Sequence, residues 1–216
     1  MSETLTLSTS ALAAVASVAV AASKDGVTPV IQAVHLKASS GQLVAIATDR
    51  YRVARVTIIP TGEQATFTDI DALIPAKLLQ DFASAVKRAK LLPIPDGVSI
   101  ETDGDVVSLS CDQAGVSQKG LVAKGNYPPV ARLFPADEDA FGEIGEISFR
   151  ADWLADFAKL DHPAYASRNT DPDRKIPKLR FMKGASSTKP GPIYATRDFG
   201  AGGSIEYLLQ PHILLR

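Results

Sequence analysis

The sequence predicts an α+β fold built from repeats of one unit, strand-helix-strand-strand-strand. Two observations carry that expectation. Amphipathic helical stretches over residues 11–22 and 75–90 each follow a short strand pattern and precede three more. The same order then recurs after residue 146, around Trp153. The three copies are offset by roughly 65–75 residues, a repeat signature rather than a chance alternation.

In order, residues 4–8 alternate as a strand, and Ser8, Thr9 or Ser10 can cap the helix that follows. Leu12, Val15, Val18 and Ala19 form its apolar face, and Lys24-Asp25-Gly26 ends it. Strands are expected at 30–38, 43–47 and 51–60, with Ser39-Ser40-Gly41 as a turn. The second copy has a strand at 65–73 and a helix at 75–90, with Pro75 in the first turn, where a missing N–H costs nothing. Its core face is Leu78, Leu79, Phe82, Ala85 and Val86. After a loop at 91–96 come strands at 97–101, 106–111 and 115–123, the first two joined at Asp103-Gly104, a strong hairpin signal. Residues 125–136 are Pro-rich and read as a linker, followed by an acidic, solvated connector at 137–146. The third copy is a strand at 146–150, a helix at 151–160 with Trp153, Leu154 and Phe157 inward, a polar loop at 162–177, and strands at 179–183, 193–197 and 204–215. Two domains are expected, 1–136 and a shorter 137–216.

Composition narrows the function. The chain has 216 residues, 45% hydrophobic and 22% charged, which is globular rather than disordered. With 23 Lys+Arg against 24 Asp+Glu the net charge is −1, so nucleic acid could be held only by a local basic patch. The apolar stretch at 11–22 is shorter than the ~20 residues that span a bilayer, and no basic residue precedes it. A cytoplasmic protein is expected. The single cysteine, Cys111, lies in a strand pattern and reads as a small buried hydrophobe. His35, His162 and His212 have no metal-ligand spacing with one another or with Cys111. The stretch GASSTKP lacks the second Gly and the Ser/Thr after Lys of a phosphate loop. Neither catalysis nor a cofactor is expected.

The least ordinary stretch is LVAIATDRYRVARV, two strands around the charged, aromatic corner Arg50-Tyr51-Arg52, where Gly, Asn or Pro would be usual. ATDRYRVA resembles the ATDG/R-[HF]-R-L-A stretch of the bacterial sliding clamp, the β subunit of DNA polymerase III. PVIQAVHLKASSGQLVAIATD, ALIPAKLLQDFASAV, GNYPPVARLFP and IEYLLQPHIL resemble further stretches of that family, in the family's order. The resemblance implies a DNA-clamp fold of about one and a half domains: 1–136 similar to the middle domain, and the remainder similar to the second half of the last.

It also implies a function without chemistry. A clamp closes around duplex DNA without reading sequence and tethers the polymerase, with the clamp loader and other partners docking through short linear motifs. By motif position the partner groove would comprise Ile31, Thr48, Arg50, Tyr51, Arg52, Val53, Pro135, Leu208, Gln210, Pro211 and His212. Gln210 and His212 replace flexible apolar residues of the family pattern, so a different peptide would be preferred. The DNA-facing set would be Lys24, Lys77, Lys87, Arg88, Lys90, Arg150 and Lys159, with Arg168, Arg174 and Lys175 in the loop. On the second helix Lys77, Asp81, Ser84 and Arg88 share one face. Three units per chain leave half a domain unpaired, and four such chains would restore a closed ring; a trimer or dimer is the alternative. So compact a version fits a phage genome. The competing reading is a clamp-derived module that binds partners without encircling DNA.

Overall fold

The computed structural model describes residues 2–39, 41–60, 67–90, 97–143, 147–163, 177–186 and 189–211. The first copy is β1 (Ser2–Leu7), α1 (Thr9–Ser17), β2 (Ala33–Ser39), β3 (Gln42–Thr48) and β4 (Arg52–Ile58). The second is β5 (Ile70–Pro75), α2 (Ala76–Arg88), β6 (Val98–Asp103), β7 (Val106–Cys111) and β8 (Val116–Leu121). The third contributes α3 (Ala151–Ala155), β9 (Lys178–Phe181), β10 (Ile193–Asp198) and β11 (Gly203–Leu209).

Local chemistry sets the helices. Ser8 caps α1, its Oγ accepting from the Ala11 N–H at 3.0 Å. The helix is buried on several sides, at Ala11, Leu12, Ala14, Val15 and Ala16. Its small alanines let it pack close to α2 and the sheet. It tightens into a 3-10 turn over Val18–Ala21, so it ends before Lys24-Asp25-Gly26. Pro75 holds the cap position of α2 rather than its first turn. Leu79, Phe82 and Val86 are buried in the core, with Lys77, Asp81, Ser84 and Arg88 exposed on the opposite face. Gly104, at φ +58°, makes the β6–β7 turn that Asp103-Gly104 predicts.

The sheets are woven by exchange. A four-stranded sheet runs β1-β6-β7-β8 and a seven-stranded one runs β5-β2-β3-β4-β11-β10-β9. Thus β1 leaves its own copy to pair with β6, and β5 leaves its own to pair with β2, both antiparallel. Each complete copy donates its first strand to the other. The main core lies between the helices and one face of both sheets. A smaller cluster, Ile46, Val53, Val130, Phe134 and Leu208, covers the other face of the larger sheet.

β11 pairs with β4 over seven residues, Gly203 opposite Ile58 through Leu209 opposite Arg52. The strands of the third copy therefore continue the sheet of the first. Gly203 makes this join possible: its φ is +110°, and a Cβ there would lie 2.0 Å from the Thr57 carbonyl oxygen.

The strand expected at 146–150 is the main correction. Residues 147–150 are described and form no strand. In the complete copies the corresponding strand pairs with the sheet of the other copy, and among the described residues the third copy has no such partner. Its helix is also shorter than expected, α3 giving way to a 3-10 turn over Asp156–Lys159.

His162, in the stretch read as a polar loop, is buried. Its ring stacks on Phe199 at 4.2 Å and its Nε2 lies 3.0 Å from the Thr57 carbonyl oxygen, where the neutral ring donates. Burial pushes its pKa below the ordinary histidine value, outweighing the carbonyl and Asp161. A depressed histidine pKa means the unfolded chain binds the proton first, so stability falls as pH drops below about 6.5. Melting temperatures should therefore decline between pH 7.5 and pH 5, and His162→Phe should flatten that decline; an unchanged pH slope in the variant would refute the assignment.

Candidate partner groove and helix-side surface

The corner between β3 and β4 is stapled by its own side chains. Thr48 Oγ1 donates to the Arg52 carbonyl at 2.8 Å and accepts from the Arg50 N–H at 3.2 Å. Asp49 Oδ1 accepts from the N–H groups of Tyr51 and Arg52, both at 3.1 Å. These bonds do what Gly or Asn does in a simple turn. Arg50 pays for it with a φ of +81°, a region costing of order 1 kcal/mol for a residue with a Cβ. Its guanidinium reaches Thr28 and lies 3.8 Å from Asp25.

Tyr51 projects outward, 57% exposed, its ring 5.6 Å from that of Trp153. Its carbonyl accepts from the Gln210 N–H at 2.8 Å, which ties the corner to the end of β11.

Arg52 does not face the groove. It turns to the helix side, buried, bonding Asp49 at 2.8 Å, the Val20 carbonyl at 2.9 Å, and Asp156. Burial disfavours its charge, but Tyr207 and Asp49 more than compensate, and its pKa is raised. Alternation along β4 explains the placement: Arg52, Ala54 and Val56 face the helices, while Val53 faces away.

On the outer face Val53 sits opposite Leu208, and both join the cluster with Ile46, Val130 and Phe134. The segment 127–134 lies over this cluster; the Tyr127 hydroxyl donates to the Ile46 carbonyl at 3.3 Å, and the Arg55 guanidinium sits 3.8 Å from the Phe134 ring centre. Ile31, Thr48 and Pro211 are also buried. Pro135 lines an adjoining cleft of about 510 Å³ with Phe141, Arg180, Tyr194 and Glu206. There the Tyr194 hydroxyl donates to Glu206 at 2.8 Å, and burial, with the Glu206 charge, pushes the phenol up to about 12.

The expected groove residues therefore divide. Arg50, Tyr51 and Gln210 are open to solvent; Thr48, Val53 and Leu208 are buried side by side on neighbouring strands, and Ile31 and Pro211 are buried outside that row; Arg52 lies on the other side; His212 falls outside the described residues. Tyr194 and Phe141 were missed. Alternation in β10, which sets Tyr194 opposite in direction to buried Ile193 and Ala195, carried the signal for the first.

The helix side gathers several of the expected lysines. A cleft of about 690 Å³ between α1 and α2 is lined by Lys87 and Lys159, among others. A neighbouring cleft of about 780 Å³ is lined by Lys24, Lys77, Lys159 and Arg52. The two share Gln80 and Lys159. Lys77 pairs with Asp81 at 2.8 Å and Lys159 with Asp156 at 2.5 Å. Exposed pairs like Lys77–Asp81 are worth under ~1 kcal/mol, so an anion can compete for such a lysine. Arg88 and Lys90 are exposed at the end of α2. Arg150 lies elsewhere, 4.6 Å from the Trp153 ring centre and paired with Asp152 at 2.7 Å. Arg168, Arg174 and Lys175 fall outside the described residues. Among the described residues no helix is long and apolar enough to cross a membrane.

Comparison with known proteins gives one consistent result. Residues 6–95 match the model of the DNA polymerase III beta subunit, central domain. The chain is 30% identical over 132 residues to the beta sliding clamp homolog GriR of Streptomyces muensis, covering 61% of this chain and 33% of that protein. It is 32% identical over 122 residues to the beta sliding clamp of Micrococcus luteus, covering 56% and 37%. The match thus spans about a third of each relative's length. In fold, 99% of the chain superposes on 66% of the DNA polymerase III beta subunit of Thermotoga maritima, with a TM-score of 0.62 at 16% identity. The Pseudomonas aeruginosa beta subunit gives 0.59, with 97% of this chain and 66% of that one covered at 15% identity.

Proposed function

We infer that this chain, which belongs to the DNA polymerase III β-subunit sliding-clamp family, is a segment of a ring that encloses duplex DNA and tethers partner proteins to it. Members of this family are non-enzymatic processivity factors, so the expected output is retention on DNA rather than turnover. The observation that carries the reading is the two-sidedness of the larger sheet. One face is covered by helices bearing Lys77, Lys87 and Lys159, with Lys24 just past the end of the first, around two adjoining clefts. The other carries the apolar patch and the Tyr51 corner.

Each side suits one half of the task. Lysines on helices present point charges to phosphates without reading bases, which is what a sliding contact needs. A net charge of −1 leaves the remaining surface without general affinity for DNA, so that binding requires threading. On the outer face, an exposed tyrosine beside a half-apolar cleft suits an extended peptide with one or two apolar anchors, as borne by a polymerase or a clamp loader. The domains proposed at 1–136 and 137–216 would then be consecutive arcs joined through β4 and β11.

The test is retention on nicked circular duplex, followed after linearisation, with the mass in solution measured by light scattering. A ring-forming oligomer that stays on circles and is lost from linear ends is the expected result. A monomer retained on neither would overturn the ring and leave a partner-binding module.

A further inference from the structure

We propose that β8 pairs antiparallel with β8 of a second chain about a dyad, joining the two four-stranded sheets into one continuous sheet. This supplies one subunit contact of the ring inferred above and rests on that reading for its purpose.

The join between the first and third copies sets the pattern. There the last strand of one copy, β4, pairs antiparallel with the last strand of another, β11. β8 is the last strand of the second copy and the terminal strand of its sheet. Its inner edge is committed to β7 along its whole length, from Val116 opposite Cys111 to Leu121 opposite Val106. Just past its end the Val122 N–H donates to the Asp105 carbonyl at 2.9 Å, which fixes the phase of that ladder. Val116, Gln118 and Gly120 therefore turn their N–H and C=O groups to β7, and Ser117, Lys119 and Leu121 turn theirs outward. Among the described residues no hydrogen bond reaches these outward groups. On this side the Ala123 N–H donates to the Leu73 carbonyl at 2.8 Å, but only beyond the end of the strand.

Side chains mark the same edge. Val116, Gln118 and Gly120 take the face turned to the helices, while Ser117, Lys119 and Leu121 are exposed on the other. Leu121 is 67% exposed, and Val106, its neighbour across the β7–β8 ladder, is 39% exposed. An apolar pair at the rim of a sheet is what an edge that stays in water avoids. β8 also lacks the usual guards: it contains no proline, and its register with β7 runs without a bulge.

A second copy of this chain fits because the strand is complementary to itself. Pairing through the outward groups lets the dyad fall on Gln118, Lys119 or Gly120. On Lys119 it would set two ammonium groups side by side, which is destabilising. On Gln118 it would leave Leu121 opposite Gly115, in the turn before β8. On Gly120 it sets Leu121 opposite the partner's Lys119 and brings the two Leu121 side chains to a diagonal separation of about 7–8 Å, flanked by Val106 of each chain. Gly120 suits the axis. Leu78 of α2 lies directly over it, so close that a Cβ there would sit 2.7 Å from Leu78 Cδ2. The half-buried Leu78 of each chain would then meet its image over the join. Each β8 donates to and accepts from its own image, so the contact closes with two chains, as an isologous interface must.

Lys119→Pro removes an outward N–H and leaves the β7–β8 ladder intact, as proline does at an edge position that faces solvent. It should halve the mass measured by light scattering, with the circular dichroism spectrum unchanged. Leu121→Lys, which sets like charges across the join, should also halve it. Lys119→Ala keeps the backbone and should leave the mass as it is. In a mixture, a short bis-maleimide should link a tagged Lys119→Cys chain to an untagged Leu121→Cys chain, whereas Lys119→Cys chains should not link to one another; the native Cys111 is buried. Unchanged mass in both Lys119→Pro and Leu121→Lys, a monomeric parent, or Lys119→Cys linked to itself would overturn the proposal. An oligomer that both variants halve, but that is not retained on circular DNA, would refute the ring and leave this contact standing. Retention on circles at full mass by both variants would do the reverse.

Discussion

Replacing Arg52 with alanine should destabilise the protein by about 3–5 kcal/mol, the range for removing one partner of a buried ion pair. The guanidinium is held by Asp49, Asp156 and the Val20 carbonyl, which lie on the β3–β4 corner, the end of α3 and the end of α1. Its loss leaves the nearly buried Asp156 carboxylate with Lys159 alone. At roughly 2–4 °C per kcal/mol for a chain of this size, the melting temperature should fall by about 10 °C or more. The cause is separable from lost packing. Arg52→Met combined with Asp156→Leu removes both charges and keeps apolar volume, and should recover most of the loss. A double variant as unstable as Arg52→Ala would show that the pair contributes through geometry rather than through compensation of a buried charge.

The second large effect concerns DNA. Changing Lys24, Lys77, Lys87 and Lys159 together to alanine should weaken binding to linear duplex at low salt by on the order of 100-fold. It should also make the dependence of log K on log salt shallower by roughly 0.9 for every lysine that touches a phosphate. All four are exposed apart from their ion pairs, so melting should change little. Fluorescence anisotropy over a salt series reads both quantities. The control changes three other lysines, Lys37, Lys119 and Lys124, which lie on strands or in a loop away from the helix clefts, and is compared per lysine. If the control loses as much affinity and slope as the helix-side set, the helix layer is not the DNA surface.

Much of this molecule could be read in advance, where one period governed the chain. The face Leu79, Phe82 and Val86 of α2, the Asp103-Gly104 turn and the strand Val106–Cys111 follow from local pattern, because each element buries a single face against a single neighbour. The candidate site was legible only in part. That Val53 is buried on a face of β4 opposite to that of Arg52 accords with alternation, and Tyr51 is exposed because it lies in the corner before the strand begins. Arg52 misled, since motif position carries no information about which face of β4 a residue takes or that Asp156, more than a hundred positions away, awaits it. The strand at 146–150 misled for a related reason. Its apolar alternation is real, but a strand is a property of a pair, and among the described residues nothing pairs with it. His162 looked like loop polarity, and its burial depends on Phe199 arriving from a distant segment.

The exchange of first strands also sets the order in which the chain can fold during synthesis. β1 spans residues 2–7, and its ladder among the described residues is with residues 98–103. At the ~5–20 residues per second of translation, β1 waits roughly 5–20 s for its neighbour to emerge. β4 waits longer, because its second ladder is with residues 203–209. For that interval the nascent chain exposes the β-branched edge of β4 on the ribosome, where pairing between neighbouring nascent chains competes with pairing within one. Contacts this distant in sequence place the protein among slow folders, and the last strand made is the one that closes the longest of these waits.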